Sequence, residues 1–372
     1  MRRLALALTA GLALAQPPLI RKPVAGSRWS LAFHHEVDGE SLVLRDFHMS
    51  EGGCGIAPGV LIRAGKEAAA AVMTSDGGAT WNLARLPDNA VSGFSLGAGL
   101  AWIAAETGVW QSGDCGRTWR RAFAQEGVLR VHFVDEKRGF AAGRRKQVWS
   151  TQDGGGQWSP AAAAAEPAAE ASRSLYTWIE FAGSSGVIAG RHEPRRAEPA
   201  AAPVPWLDPR ELLRVRQLPA LALLLQTRDG GETWKTSAAP VLGTVSRIRL
   251  NAGGAGLNLV EFNSSFEWPA EVYRVDAESG GMTRTFREKD RAVTDILLLD
   301  SGIAYLAAIE PRGLVRGLPV PGRVRIAMGT VPDQWQEMEV DYRAAARRVW
   351  LTRGKAGAVW AAADTAMILA LR

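Results

Sequence analysis

Four stretches of the chain repeat one pattern, Ser/Thr-x-Asp-x-Gly-x-x-Trp: Thr74–Trp81, Ser112–Trp119, Thr151–Trp158 and Thr227–Trp234. Their tryptophans are 38, 39 and 76 residues apart, the period of a propeller blade with the last gap doubled. The residue types explain the pattern. The carboxylates of Asp76, Asp114, Asp153 and Asp229 can accept hydrogen bonds from backbone N–H groups of the turn that follows. Gly78, Gly116, Gly155 and Gly231 permit the positive φ that a tight reversal requires. Trp81, Trp119, Trp158 and Trp234 are expected to fold back and fill the space beneath the turn. These residues build hairpins, and none of the four aspartates is read as catalytic.

Upstream of each turn lie short alternating apolar runs that read as strands. Gly93–Leu96, Leu100–Ala105 and Gly108–Gln111 precede the second turn, and Leu129–Val134, Gly139–Gly143 and Gln147–Ser150 the third. Each unit is three strands, the turn, and a fourth strand running on from the tryptophan, which is one four-stranded antiparallel blade. An insertion, Arg191–Ala220, inside a fourth unit explains the doubled gap. Past Trp234 the turns fade while the rhythm continues through Val245–Asp276 and Val293–Trp335. The last set, Arg348–Leu371, is one strand short, and the spare strand Arg28–His34 can complete it. The fold class predicted is all-β: a seven-bladed β-propeller of four-stranded antiparallel blades, with 16–372 as a single domain. Its ring is closed by the N-terminal strand joining the last blade, which leaves no unpaired sheet edge at the seam.

The turns resemble those of the Asp-box (BNR) repeat superfamily, which includes sialidases, sortilin-type receptors and certain glycanases. Phe133–Trp158 carries Phe-Val-Asp, Gly-Phe-Ala-Ala-Gly and Val-Trp-Ser-Thr-Gln-Asp-Gly-Gly-Gly-Gln-Trp in order. It is similar to the repeat of the photosystem II assembly and stability factor family, whose relatives also occur in non-photosynthetic bacteria. The resemblance implies an exported seven-bladed propeller that assists the assembly of membrane complexes through a basic surface. It covers four of the seven blades; the faded later blades and the insertion depart from the family's regularity.

The first residues read as a signal peptide. Arg2 and Arg3 precede the apolar stretch Leu4–Leu14, and Ala13-Leu14-Ala15 offers a cleavage site after Ala15. The stretch is too short for a membrane span, so a periplasmic or secreted protein is expected. Export permits a disulfide between Cys54 and Cys115. It would close a loop of about 60 residues, contributing about 4 kcal/mol in the chain-entropy model. The net charge of +6 favours an acidic protein or membrane-proximal surface as partner, or reflects only arginine used for solubility. Nucleic acid is not expected after export.

The catalytic constellations are incomplete. A sialidase needs an arginine triad, a tyrosine nucleophile paired with a glutamate, and a further acid. The Phe/Tyr-Arg-Ile-Pro string usual in that family is missing, Leu19–Pro23 being nearest. Tyr176 near Glu180 is a weak pairing. Asp46, Glu180 and Asp295, on inner strands of different blades, could supply the two carboxylates of a glycosidase. His34, His35 and His48 with Glu36 and Asp38 are ligand types, but His34 and His35 would face opposite sides of a strand. No metal or cofactor is expected.

A binding surface is the stronger reading. Arg130 and His132 on the third inner strand, and Arg247 and Arg249 on the fifth, are unusual residues for innermost strands. Arg144 and Arg145 lie one turn from Arg130's strand, and Tyr176 and Trp178 sit on the inner strand between. Arginine with aromatics is favoured at protein interfaces; the alternative is that these arginines pair with neighbouring carboxylates or line a solvated channel. Ser159–Ser172 reads as an Ala/Glu/Pro-rich linker. Arg191–Ala220 ends in a short helix capped by Asp208, with Pro209 in its first turn and Glu211 completing the box. Both segments are expected on one face, beside the channel opening and the arginines. The sequence thus reads as an exported, monomeric, non-catalytic propeller, a protein-binding scaffold or assembly factor for a membrane-associated or envelope complex. The rival is a secreted glycan-active enzyme or glycan-binding propeller.

Overall fold

The computed structural model describes residues 27–97, 99–193, 220–262, 267–276, 281–310, 313–315, 318–330 and 334–372. The expected signal peptide lies outside them, as does most of the insertion, with Asp208, Pro209 and Glu211.

Seven antiparallel sheets follow one another around an axis. The innermost strands, in ring order, are Glu40–Leu44 (continued by His48–Met49), Ala90–Ser95, Val128–Phe133, Ser174–Ala182, Thr244–Leu250, Ala292–Leu298 and Val349–Arg353. Each begins a four-stranded blade, numbered 1 to 7 here. The last blade is completed by Arg28–His34, which pairs antiparallel with Met367–Leu371 in the register Trp29↔Leu371 to His34↔Met367. Trp29 anchors this seam: it is 1% exposed, and its indole N–H donates to Met338 Sδ. The two-residue strand Glu339–Val340, leading out of blade 6, pairs with Arg28–His34 in parallel, so the seam is held from both sides.

The inner strands share a device that decides which side chains reach the axis. In blades 2 to 6 a β-bulge falls at Val91, Leu129, Thr177, Ser246 and Thr294, seen as a register shift across each. A bulge inserts one residue, so the residues flanking it face opposite sides rather than the same one. Before the bulge, Ala90, Val128, Tyr176 and Val293 are buried between blades. After it, Ser92, Arg130, Trp178, Arg247 and Asp295 occupy one tier. Two residues on, Phe94, His132, Glu180, Arg249 and Leu297 occupy the next.

The four repeat turns lock blade to blade. In the first, Thr80 donates its N–H (2.9 Å) and hydroxyl (2.6 Å) to Asp76, and Gly78 N–H donates to Thr74 Oγ1. The same set recurs at Asp114 and Asp229; at Asp153 only the backbone bond from Gln157 replaces the Thr pair. Hydrogen bonds to the ionised carboxylate hold Asp76 and Asp114 down at about 2, with the Thr80 hydroxyl and the Thr118 N–H as the largest causes. Trp158 and Trp234 fold back on their own turns as expected, their indole N–H groups donating to the Gly155 and Gly231 carbonyls at 3.2 and 3.0 Å. All four tryptophans are half-buried, and they also lean on neighbouring strands: Trp81 meets Trp360 of blade 7 edge-on at 5.7 Å, and Trp234 meets Phe140 of blade 3 at 5.6 Å. The glycines are fixed by the same packing. A Cβ on Gly78 would lie 2.3 Å from Trp360, one on Gly116 2.3 Å from Met73, and one on Gly231 2.2 Å from Phe140.

The preceding turn position also takes positive φ and is Gly77, Gly154 and Gly230 in three turns but Cys115, at φ 56°, in the fourth. Cys115 is bonded to Cys54, so the sequence gives up glycine there and fastens blade 2 to blade 1. Ser159–Ser172 is not a plain linker. Ser159–Pro160 is the outer strand of blade 3, and 3-10 turns follow at Ala162–Ala165 and Ala171–Arg173. The Lys146 ammonium donates to the carbonyls of Ala165, Pro167 and Ala169, which gathers this segment around one charge.

Candidate functional site: the axial cavity and the arginine ridge

The second bulge-set tier and the strand ends below it enclose a cavity of about 300 Å³ on the axis, lined from all seven inner strands. Of the eight expected partner-binding residues, five converge at or beneath it. Trp178 lies at the centre: the guanidinium carbons of Arg130, Arg247 and Arg249 stand 4.3, 4.5 and 4.9 Å from its ring centroid. Its indole N–H donates to Ile248 O at 2.7 Å. His132 is the fifth, packed between Phe94, tilted to it at 4.5 Å, and Phe181, stacked on it at 5.5 Å.

These arginines are not free. Arg130 donates to Asp46 at 2.7 Å, and Asp46 also accepts the backbone N–H of Gly93. Arg249 donates to Glu180 at 3.2 Å and to the Ile296 and Leu351 carbonyls. Asp295 lies 3.3 Å from Arg247 and 3.6 Å from Arg249, and accepts the N–H of Leu351. Arg247 is close enough to Asp295 for charge pairing, but its Nε makes no aligned hydrogen bond. The pairing alternative therefore holds in the channel. Asp46 and Asp295 each tie a guanidinium to the backbone of the next blade, which makes the cluster a brace between inner strands.

The electrostatics follow from burial. Removal from water, reinforced by Arg130 and Arg249, lowers His132 to about 3, and burial with His132 and the arginines lowers His48 well below the usual range. Both imidazoles are neutral at physiological pH. Burial raises Glu180, opposed by Arg249, and lowers Arg247 to about 10. Burial also works against the Arg249 charge, but Glu180 and Asp295 outweigh it and the group is raised.

Three expected residues are placed elsewhere. Tyr176 is fully buried between blades 3 and 4, with its hydroxyl donating to Ala164 O. The bulge at Thr177 turns it away from Trp178 and Glu180, so period-2 reasoning misplaced it. Arg144 and Arg145 stand at the opposite mouth of the ring, correcting the expectation that they share a face with the channel arginines' cavity. Arg144 bridges Leu175 at the start of its strand, whereas the cavity is lined by Phe181 and Ala182 at its end. The described ends of the insertion, Arg191–Glu193 and Ala220, and the 159–172 segment also lie at that opposite face, beside the start of the Ser174–Ala182 strand. There Arg144 and Arg145 form an exposed ridge between two clefts of about 500 and 430 Å³. Neither pairs with a carboxylate among the described residues. Arg145 and Lys146 both take left-handed backbone, at φ 56° and 60°.

Several cavity residues escaped the sequence reading: Phe94, Phe181, Glu51, Asp300 and Arg353. Arg353 joins Glu51 and Asp300 across the rim. Aligning the inner strands on their bulges would have found Phe94, since it occupies the column of His132, Glu180 and Arg249. Nothing local marks the rim residues, which lie in blade-specific loops. Among the described residues no group of three or more His, Cys, Asp or Glu could hold a metal ion.

No protein-family model matches the sequence, and no curated protein does. Among solved structures the chain is similar to YCF48 bound to D1 peptide, with a TM-score of 0.56 at 13% identity, covering 92% of this chain and 99% of that one. It is similar to YCF48 from Cyanidioschyzon merolae, with a TM-score of 0.57 at 12% identity, covering 92% and 98%. The β-propeller domain of the Trilobed protease from Pyrococcus furiosus follows at 0.51 and 11%, covering 88% and 94%. At these identities the likeness is one of fold: the chain is a seven-bladed β-propeller closed by its N-terminal strand.

Proposed function

We propose that the chain is an exported, non-catalytic, protein-binding propeller of the assembly-factor type, related to the photosystem II assembly factors and their Asp-box repeats. It holds an acidic segment of an envelope or membrane-associated protein against the face that carries Arg144 and Arg145. One observation carries this reading. Two exposed guanidiniums stand without carboxylate partners among the described residues, on a ridge flanked by clefts. Arginine is favoured at interface centres. The full-length match to a propeller that binds a peptide supports the same use of the fold.

The reversal Arg144→Glu/Arg145→Glu, in chain purified with its native partner, tests this. The variant should release the partner while melting at the wild-type temperature, because both side chains are exposed and neither pairs with a carboxylate among the described residues. Retained binding would place the interface elsewhere. Turnover on a panel of sialosides and polysaccharides, lost in Glu180→Gln, would instead favour the glycan-active enzyme.

A further inference from the structure

We propose that the axial cavity is a binding site for a neutral, hydroxyl-rich ring of monosaccharide size, on the face opposite the Arg144–Arg145 ridge. The proposal goes beyond the protein-binding reading and does not depend on it.

Charge is the first argument. The charged side chains lining the cavity are Arg130, Arg249 and Arg353 against Glu51, Glu180 and Asp300, three of each sign. Arg249 and Arg353 pair within this set, and Arg130 pairs with Asp46 just behind it. An anionic ligand would have to displace a carboxylate already in place, and a cation would meet three guanidiniums. Burying either without a partner is costly. A neutral ligand disturbs none of these pairs.

Unused hydrogen-bonding capacity is the second. The backbone N–H of Ser95 donates to His48 Nδ1 at 3.1 Å, which leaves the proton on Nε2. Among the described residues neither His48 Nε2 nor either nitrogen of His132 has a hydrogen-bond partner. A neutral imidazole offers one donor and one acceptor, and the Glu180 carboxylate has lone pairs beyond the one Arg249 uses. Hydroxyl groups both donate and accept, so they suit such a mixed wall.

Shape is the third. Carbon surface from Phe47, Phe94 and Phe181 on one side and Leu297, Leu298 and Leu351 on the other is interleaved with the imidazoles, Glu180 and the charged rim. Apolar patches alternating with polar groups suit a ring with C–H faces and hydroxyl edges. The volume lies at the bottom of the roughly 300–1,000 Å³ range of small-molecule sites, enough for one ring.

The test is ligand-detected NMR and calorimetry on the wild-type chain, with methyl glucoside, methyl galactoside, methyl N-acetylglucosaminide and glucuronate. At least one neutral glycoside should bind at millimolar concentration, with glucuronate about tenfold weaker or worse, a gap of about 1.4 kcal/mol. His132→Phe keeps the packing against Phe94 and Phe181 but removes both nitrogens, and should weaken the neutral glycoside about tenfold. Glu180→Gln leaves the lining one charge positive and should shift preference toward glucuronate. A trisaccharide that binds as well as the glycoside marks a glycan chain end; one excluded marks a single sugar. The proposal is overturned if the folded wild-type chain binds none of the neutral glycosides, if it prefers glucuronate, or if His132→Phe, folded by near-UV dichroism, binds as wild type.

Discussion

At the residue scale, the repeat turns show how one position can be fixed twice. Gly231 is required by its φ of +94° and again by Phe140, which a Cβ would approach to 2.2 Å. Gly65 has φ +73° but nothing within 4 Å of a Cβ. Gly65→Ala should therefore cost only the left-handed backbone penalty, about 1–2 kcal/mol. Gly231→Ala should add overpacking, for a total of about 2–5 kcal/mol. Urea unfolding of the two variants separates backbone from packing; equal losses would mean that the blade 3 contact is slack. The turn residues were legible in the sequence because their roles are local: the aspartate bonds within five residues and the glycine dihedral is its own. What the tryptophans lean on was not legible, since Trp360 and Phe140 belong to other blades. Tyr176 was misread for a related reason. A single bulge reverses facing, and nothing in Tyr-Thr-Trp announces one until the five inner strands are laid side by side.

At the element scale, the strand Arg28–His34 carries more than its length suggests. It is the outer strand of blade 7 and also accepts Glu339–Val340 in parallel, so it ties three stretches of chain together. Trp29 is its anchor, and Trp29→Ala should cost about 3–5 kcal/mol as a buried large-to-small change. Hydrogen exchange should then rise first across Met367–Leu371, the strand that loses its neighbour. Uniform rise over all blades would show that the ring opens as one unit instead. Sequence rhythm found this strand because the last set was visibly one short. It did not find the short pairing of Glu339–Val340, whose two residues carry no periodic signal, nor the coil of 159–172 around Lys146, which depends on a charge arriving from a different turn.

At the scale of the whole molecule, the two imidazoles on the axis are groups whose proton uptake opposes folding, while Glu180, raised by burial, works in the opposite direction. The folded chain keeps His132 neutral down to about pH 3, whereas an unfolded imidazole takes its proton near 6.5. Between those values the unfolded state binds more protons, so stability falls as pH falls from 6.5 towards 3. His48 adds to the trend in the same direction. Chemical denaturation at pH 7.5 and 5 should show wild type losing stability, and His132→Phe losing measurably less. A variant with the same loss would put the acid sensitivity elsewhere.

The seam described above also bears on how the chain can be cut. Arg28 N–H donates to Arg372 O at 2.9 Å, and Arg372 N–H returns the bond to Arg28 O at 3.0 Å. Beginning and end of the described ring are therefore side by side, and a few glycines could splice them. Fresh termini opened in a surface turn between two other blades would then leave every sheet whole, so the order in which the blades are synthesised is free to rotate while the disc they form stays the same.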